Sequence, residues 1–214
     1  GLAAFQTGLY GASEMVMDGF MHLARAGILS RRVYDDLDVE KALATGRDAD
    51  TSGRGDGRYL RGAFYLGSKE FYAWLRDLQG VDFDGLSMTR VSDINQLYGG
   101  RETLDALQRR DARFFNTCMM ATLLGAAASD TLENGQVVSG VGGQYNFVAM
   151  AHALAGGRSI LLVRATRKSG GRVHSNILWN YGQCTIPRHL RDICVTEYGI
   201  ADLRGKSDED CIIA

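Results

Sequence analysis

Short runs of β-branched residues and leucine recur along the chain, and each is bounded by glycine or by polar residues. Runs of this length and composition are typical of strands that are buried on both faces of a parallel sheet. In the second half of the chain they are Val137-Val138, Ile160–Val163, Val173–Leu178 and Ile193–Val195. Segments with helical patterns alternate with these runs. The alternation predicts an α/β fold with a largely parallel central sheet flanked by helices.

The first hundred residues carry the same mixture of signals. Apolar residues at helical spacing predict a helix over residues 9–26, and Gly27 is a suitable stop for it. The run Tyr59–Leu66 predicts a strand, and Ser68 is placed to cap a helix that follows. Between these elements, residues 46–57 contain no hydrophobic side chain larger than alanine, which predicts a flexible loop.

The composition argues against several classes of binding partner. The chain has 24 lysines and arginines against 25 aspartates and glutamates, for a net charge of -1, which argues against nucleic acid and an anionic membrane. No apolar run approaches the length of a membrane span. The four cysteines form no CxxC pair, which favours reduced thiols and a cytoplasmic location. No cluster of side chains has metal-ligand spacing, so no metal is expected.

The densest candidate site is the glycine-rich segment SGVGGQYNF, residues 139–147, which precedes a helical pattern. A glycine-rich turn at a helix N-terminus exposes backbone N–H groups, which suits an anion or a carbonyl oxygen that develops negative charge. Close packing of the backbone is an equally good explanation of such a turn. The spacing matches neither a dinucleotide-binding fingerprint nor a Walker loop.

Two further segments hold residues that could act as acids or bases. In VTEYGIADLRGK, residues 195–206, Glu197 directly follows a predicted buried strand, where open α/β sheets place ligand groups. An ordinary ion pair between Glu197 or Asp202 and Arg204 is the competing explanation. His174 and His189 could serve as acid, base or ligand, although isolated histidines are more often structural. A serine hydrolase is not supported, because no GxSxG elbow occurs.

Taken together, these segments resemble one family. SGVGGQYNF is similar to the glycine loop of the acetyl-CoA hydrolase/transferase family, and VTEYGIADLRGKS matches that family's C-terminal signature nearly throughout. TIPRHLRD, residues 185–192, resembles the segment that leads into the signature, and FYLGSK, residues 64–69, resembles a strand and helix of the same domain. Residues 1–214 are therefore expected to be the C-terminal domain, truncated at its C-terminus and without the N-terminal domain.

The resemblance implies what the domain binds. Members have two related α/β domains with the active site between them, and the C-terminal half holds most of coenzyme A, which is substrate or ligand. It implies acyl-CoA, a small carboxylate and the N-terminal domain as partners, a possible homodimer, and a role in acetate metabolism. The residues that it assigns to CoA or thioester binding are Gly140, Val141, Gly142, Gly143, Gln144, Asn146, Asn116 and Ser175.

The resemblance also exposes a difference at the nucleophile. In the transferases a glutamate attacks the thioester to give an acyl-glutamyl anhydride, and returning CoA thiolate forms a glutamyl-CoA thioester. The corresponding motif here runs without a gap from Asn116 to Gly125 and places Met120 at the glutamate. A thioether cannot form an acyl anhydride, so the glutamyl route is not possible at Met120. Asn146 likewise replaces the usual aspartate of the glycine loop.

Several hypotheses follow from this substitution. The protein could be an acyl-CoA hydrolase in which Glu197 activates water, with Glu133 or His174 as weaker candidates. It could instead be a non-catalytic acyl-CoA binder that acts as a sensor or scaffold. Other parts of the complete protein could supply the catalytic group. Cys118 could replace the nucleophile, although no neighbouring base is visible in the sequence.

Overall fold

A computed structural model of the chain describes residues 8–214. The chain divides into two compact units, of which the first ends at Gln108 and the second comprises Arg109–Ala214. Each unit has its own sheet and its own buried side chains, and the two are described in turn.

The first unit is built on three parallel strands in the order β1-β2-β3, namely β1 (Gly11–Val16), β2 (Leu60–Tyr65) and β3 (Leu86–Met88). Its helices are α1 (Asp18–Arg25), α2 (Leu37–Ala44), α3 (Lys69–Asp77), α4 (Gly80–Asp84), α5 (Val91–Asn95) and α6 (Glu102–Gln108). Apolar side chains from β1, β2, α1 and α3 form its core: Val16, Met21, Leu29, Tyr59, Leu60 and Phe71. Parallel strands joined through helices are the expected result of the alternating pattern.

The prediction of one helix over residues 9–26 is wrong in its first half. Residues 11–16 form β1, which pairs in parallel with β2 from Gly11 opposite Leu60 onward, and α1 begins only at Asp18. The pairing depends on residues almost fifty positions away, so a local pattern could not reveal it. Gly11 also fits the pairing sterically, because a Cβ there would lie 2.8 Å from the Leu60 side chain. The predicted stop is confirmed, since Gly27 has a φ of 68°.

Other local predictions for this unit are confirmed. The predicted strand is present as β2, and the Ser68 hydroxyl accepts a hydrogen bond from the Phe71 backbone N–H at 3.1 Å at the start of α3. Residues 46–57 form turns and bends, and Arg54 within them donates to Asp36 at 2.7 Å. The flexibility of this loop stays a prediction.

The second unit is built on a four-stranded sheet in the order β12-β11-β7-β4: β4 (Arg113–Cys118), β7 (Arg158–Val163), β11 (Ile193–Val195) and β12 (Ile200–Asp202). Strands β4, β7 and β11 are parallel, and β12 is antiparallel to β11. A small second sheet contains β5 (Met120–Thr122), β6 (Ala127–Ala128) and β10 (Ile177–Leu178). The helices are α7 (Gln144–Ala153) and α8 (Asp208–Ile213). The predicted α/β class with a largely parallel sheet is confirmed.

Two predicted strands of this unit differ from the structure. Val137-Val138 is exposed and forms no strand; Val137 makes an isolated bridge to Thr131, and the Val138 N–H donates to the Asp130 oxygen at 2.8 Å. The run Val173–Leu178 is divided between β10 and an exposed hairpin of β8 (Thr166–Ser169) and β9 (Arg172–Ser175). The hairpin turns at Gly170-Gly171, both with positive φ, as a two-residue turn of this kind requires. This turn folds β9 back onto β8 and keeps it out of the main sheet.

No helix in residues 8–214 is long and apolar enough to cross a membrane.

The core of the first unit gives a stability prediction. Phe71 is fully buried against Tyr65 and Trp74, so Phe71→Ala is expected to lower the free energy of unfolding by about 3–5 kcal/mol. Phe83, a phenylalanine of the same unit that is 59% exposed, provides the matched control, and Phe83→Ala should change that free energy by less than about 1 kcal/mol. Urea unfolding of the complete protein measures both. Equal losses from the two variants would contradict the assigned core.

Candidate active site at the carboxyl edge of the second sheet

The three parallel strands of the second unit end at one edge, where a cavity of about 1120 Å³ opens. Residues at or just beyond the ends of β4, β7 and β11 line it, as expected where parallel strands present their carboxyl ends. The lining residues that matter for chemistry are Thr117, Met120, Arg164, Arg167, Asn176 and Glu197.

Glu197 lies in this cavity, two residues after the end of β11. Its Oε2 accepts a hydrogen bond of 2.9 Å from the backbone N–H of Ala165, beyond the end of β7. This bond is the largest of the effects that lower the pKa of Glu197 below its ordinary value, and the charge of Arg164 contributes. Glu197 is therefore an ionised carboxylate at neutral pH. The competing ion pair of Arg204 does form, but with Asp202, at 2.6 Å, and not with Glu197.

Met120, the residue predicted at the position of the glutamate, also lines the cavity and is only 5% exposed. It is the first residue of β5, and its Sδ lies 3.4 Å from Nη1 of Arg167. A neutral thioether and the carboxylate of Glu197 thus border the same cavity. The alignment of Met120 with the glutamate stays a prediction.

Cys118 ends β4 and lines the cavity, but its chemistry is unfavourable for a nucleophile. Burial raises the pKa of its thiol to about 12, and the nearby Cys194 adds to the rise. The thiolate is the reactive form of cysteine, so Cys118 is protonated and inert near neutral pH.

The glycine loop lies at the N-terminus of α7, which begins at Gln144. Gly143 is the N-cap residue and provides no side-chain cap, so N–H groups of the first turn lack a capping side chain. Added Cβ atoms at Gly140 and Gly142 would meet nothing within 4 Å, and neither glycine has a positive φ. The local structure therefore does not itself demand glycine at these two positions.

The loop is connected to the cavity rather than part of its lining. Among the described residues that line the cavity, none belongs to residues 139–147. The Gln144 side chain donates a hydrogen bond of 3.1 Å to the backbone oxygen of Thr117, and Thr117 is a lining residue. Asn146 lies on the first turn of α7, and Val141 is 67% exposed.

The remaining predicted site residues differ in their hydrogen bonding and in whether they line the cavity. Asn116 lies on β4, and its buried Nδ2 has no hydrogen-bond acceptor in the described part of the protein. The hydroxyl of Ser175 bonds only within its own turn, donating to the Ile177 oxygen at 2.7 Å and accepting from its N–H at 3.1 Å. Glu133 lines the cavity, whereas His174 lies on exposed β9 and does not.

Asn176 and Arg167 are among the cavity residues that were not identified as site residues from the sequence. Asn176 is 6% exposed, and its Nδ2 donates 2.8 Å to the Arg164 oxygen. Its Oδ1 accepts from Arg167 Nη1 at 2.7 Å. The sequence offers only a weak signal for this pair, a basic residue soon after a buried strand and an asparagine before a short apolar run.

No group of three or more histidine, cysteine, aspartate or glutamate residues that could hold a metal ion occurs among residues 8–214.

Known proteins with similar sequences are CoA-transferases. The 4-hydroxybutyrate coenzyme A transferase of Clostridium kluyveri is 28% identical over 196 residues, which are 91% of this chain and 38% of that protein. A probable butyrate:acetyl-CoA coenzyme A-transferase of Syntrophomonas wolfei is 28% identical over 198 residues, 91% of this chain and 37% of that protein. The chain thus spans well under half of the length of these relatives.

Solved structures agree with this similarity. RipA from Yersinia pestis matches with a TM-score of 0.65 and 26% identity, and the match covers 94% of this chain and 38% of RipA. A 4-hydroxybutyrate CoA-transferase from Porphyromonas gingivalis shares the fold with a TM-score of 0.60 at 22% identity, over 99% of this chain and 42% of that one. The family model for the acetyl-CoA hydrolase/transferase C-terminal domain matches residues 67–214, more than half of the chain. The chain therefore belongs to the acetyl-CoA hydrolase/transferase family, in which it represents the C-terminal domain.

Proposed function

We propose that this domain binds acyl-CoA at the carboxyl edge of its second sheet, and that the complete protein hydrolyses the thioester without a glutamyl intermediate. The observation that carries this proposal is the pair of side chains that border one cavity, the thioether of Met120 and the carboxylate of Glu197. Met120 lies at the position that the resemblance assigns to the nucleophile. Glu197 takes the role of general base toward water.

Three features of the glycine loop support CoA binding there. The N-terminus of α7 lacks a side-chain cap, and such ends attract anions and developing negative charge. Gly140 and Gly142 leave open space that a bulky ligand can approach. Gln144 links the loop to Thr117 at the cavity, so a ligand on the loop lies beside the proposed reaction site. The other residues that we propose to contact CoA or the thioester are Val141, Gly143, Asn146, Asn116 and Ser175.

The buried amide of Asn116 adds a further reason to expect a ligand or solvent partner. A buried donor without an acceptor costs about 1–3 kcal/mol, and native structures contain few of them. The Nδ2 of Asn116 is such a donor, one residue before Thr117. A thioester or amide oxygen of CoA, or a water bound with it, is the partner that this proposal assigns to it.

Hydrolysis requires a base and a site for the oxyanion, but no protein carboxylate as nucleophile. Glu197 Oε2 is held by the Ala165 N–H, which fixes the carboxylate in place beside the cavity. The lowered pKa makes Glu197 a weak base, so the catalytic rate is expected to be modest. This hydrolytic route is chemically compatible with Met120.

A non-catalytic acyl-CoA binder is the second candidate, and the same weak base favours it. A carboxylate tuned for base catalysis near neutral pH has a raised pKa, whereas that of Glu197 is lowered. With Met120 in place of the nucleophile, the domain would then act as a sensor or scaffold. In both candidates we propose the N-terminal domain as the other half of the cleft, a small carboxylate as a partner, and a possible homodimer. The cytoplasmic location and the role in acetate metabolism stay predictions.

The hydrolase proposal predicts that Glu197→Gln lowers the release of CoA thiol from acetyl-CoA at least about 100-fold, because the general base is lost. The complete protein would be assayed with a thiol reagent, with and without an acceptor carboxylate. Glu133→Gln is the matched control, since Glu133 lines the same cavity without the backbone bond that holds Glu197. A larger loss in Glu133→Gln than in Glu197→Gln would assign the base to Glu133.

Restoring a carboxylate at position 120 tests the alignment with the family nucleophile. Met120→Glu is expected to form a covalent glutamyl-CoA thioester on incubation with acetyl-CoA, because the family's nucleophile is returned to its place. Intact-protein mass spectrometry would detect the added mass of CoA. Met120→Gln, which has the same length without the charge, should form none. If Met120→Glu binds CoA but gains no adduct, the register that places Met120 at the glutamate is incorrect.

The lowered pKa of Glu197 predicts the pH dependence of hydrolysis. A lowered pKa keeps the carboxylate ionised to more acidic pH, so the acid limb of kcat/KM should lie below the ordinary glutamate value of 4.5. The profile is therefore expected to be flat from about pH 5.5 to 7.5. A histidine base would instead place that limb near the ordinary imidazole value of about 6.5. A limb in that region would exclude Glu197 as the base.

A further inference from the structure

The guanidinium of Arg167 contacts only neutral groups of the protein. Its Nη1 lies 3.0 Å from the Ser175 backbone oxygen, 2.7 Å from Asn176 Oδ1 and 3.4 Å from Met120 Sδ. Within residues 8–214, no carboxylate comes within 4 Å of it. Other arginines of this unit do have carboxylate partners, such as Arg191 with Asp208 at 2.7 Å. The charge of Arg167 is therefore left without a counter-ion beside the cavity.

The geometry leaves part of this guanidinium available to a ligand. All three contacts are made by Nη1, so Nη2 and Nε have no acceptor among the described residues. Arg167 is exposed as a residue and lines the cavity, so a ligand can reach it. The group is also held in place, because buried Asn176 accepts from Arg167 while its own amide donates 2.8 Å to the Arg164 oxygen. A fixed guanidinium with free donors matches the planar geometry of a carboxylate.

We propose that Arg167 forms a subsite for a ligand carboxylate, at the place where a glutamate at position 120 would bring its own carboxylate. A glutamate there would form an ion pair with the Arg167 guanidinium. Met120 has no carboxylate, so the guanidinium can bind the carboxylate of a ligand instead. The subsite deepens the proposed function, on which it rests for the nature of the ligand. The carboxylate belongs either to a free small acid or to an acyl group that carries a second carboxylate at its far end.

The first test measures binding of a free acid to the complete protein. Saturation-transfer NMR with sodium acetate should show binding, whereas acetamide, its neutral isostere, should show none. Arg167→Gln should weaken acetate binding about tenfold or more, as expected for the loss of a hydrogen bond to a charged group. Lys168→Gln is the matched control, since Lys168 carries the same charge at the next position of β8 and should leave binding unchanged.

A substitution at position 120 tests the location of the subsite. Met120→Glu supplies an internal carboxylate and should abolish acetate binding, while the uncharged Met120→Gln should retain it. Acetate binding that survives both Met120→Glu and Arg167→Gln would place the acid elsewhere and overturn the proposal.

A second test separates the two sources of the carboxylate. Succinyl-CoA and butyryl-CoA have acyl chains of similar length, and only the former ends in a carboxylate. If the acyl group supplies the carboxylate, Arg167→Gln should weaken the binding of succinyl-CoA about tenfold relative to the binding of butyryl-CoA. Competition binding measures both affinities. If a free acid supplies it, only acetate binding should change, and if neither changes, the proposal fails. None of these measurements needs turnover, so an absence of hydrolysis would contradict the proposed hydrolase and leave the subsite testable.

Discussion

Asn176 is the residue on which the arrangement of the cavity depends. Its backbone N–H donates to the Ala165 oxygen at 2.8 Å, and its backbone oxygen accepts from the Ala121 N–H at 2.9 Å. Its side chain donates to the Arg164 oxygen and accepts from Arg167. One buried amide therefore joins the segment after β7 to β5 and orients a guanidinium. Because each of these polar groups is satisfied, burial of Asn176 stabilises this arrangement, whereas a partly satisfied network would destabilise it.

The network gives the two cavity arginines different electrostatic roles. Arg164 is close enough to Glu197 to help lower the pKa of its carboxyl group. Arg167 contacts the thioether of Met120, which keeps roughly the length of a glutamate side chain but carries no charge. A substitution of this kind preserves the packing at a buried position while it changes the charge balance of the cavity. If Met120 stands at the family's nucleophile, as proposed, the same change would remove the nucleophile and leave the Arg167 cation unpaired, so both proposed features would have one physical origin.

Sequence reasoning succeeded where the determining interactions are local. The glycine stop at Gly27 and the serine cap at Ser68 depend on neighbours within a few residues, and both were predictable. The α/β class followed from alternating patterns, and Glu197 was placed correctly at a strand end. It failed for β1, whose partner β2 lies almost fifty residues away. It also missed Arg167, which lines the cavity from β8 of the hairpin that turns at Gly170-Gly171. Neither arrangement leaves a local mark on hydrophobic periodicity.

The proposed loop site and the proposed arginine subsite together limit the shape of a common ligand. Gly140 and Gly142 have no positive φ and have open surroundings, so packing among the described residues does not demand glycine at either position. The loop reaches the cavity only through Gln144 and Thr117, while Arg167 lies within the cavity lining. A small acid alone can occupy Arg167 but has no atoms to place on the loop. A ligand that uses both must be elongated, with a carbonyl or anionic group at the N-terminus of α7 and its far end in the cavity. A CoA thioester has that shape, and an acyl group that ends in a carboxylate would use both features at once.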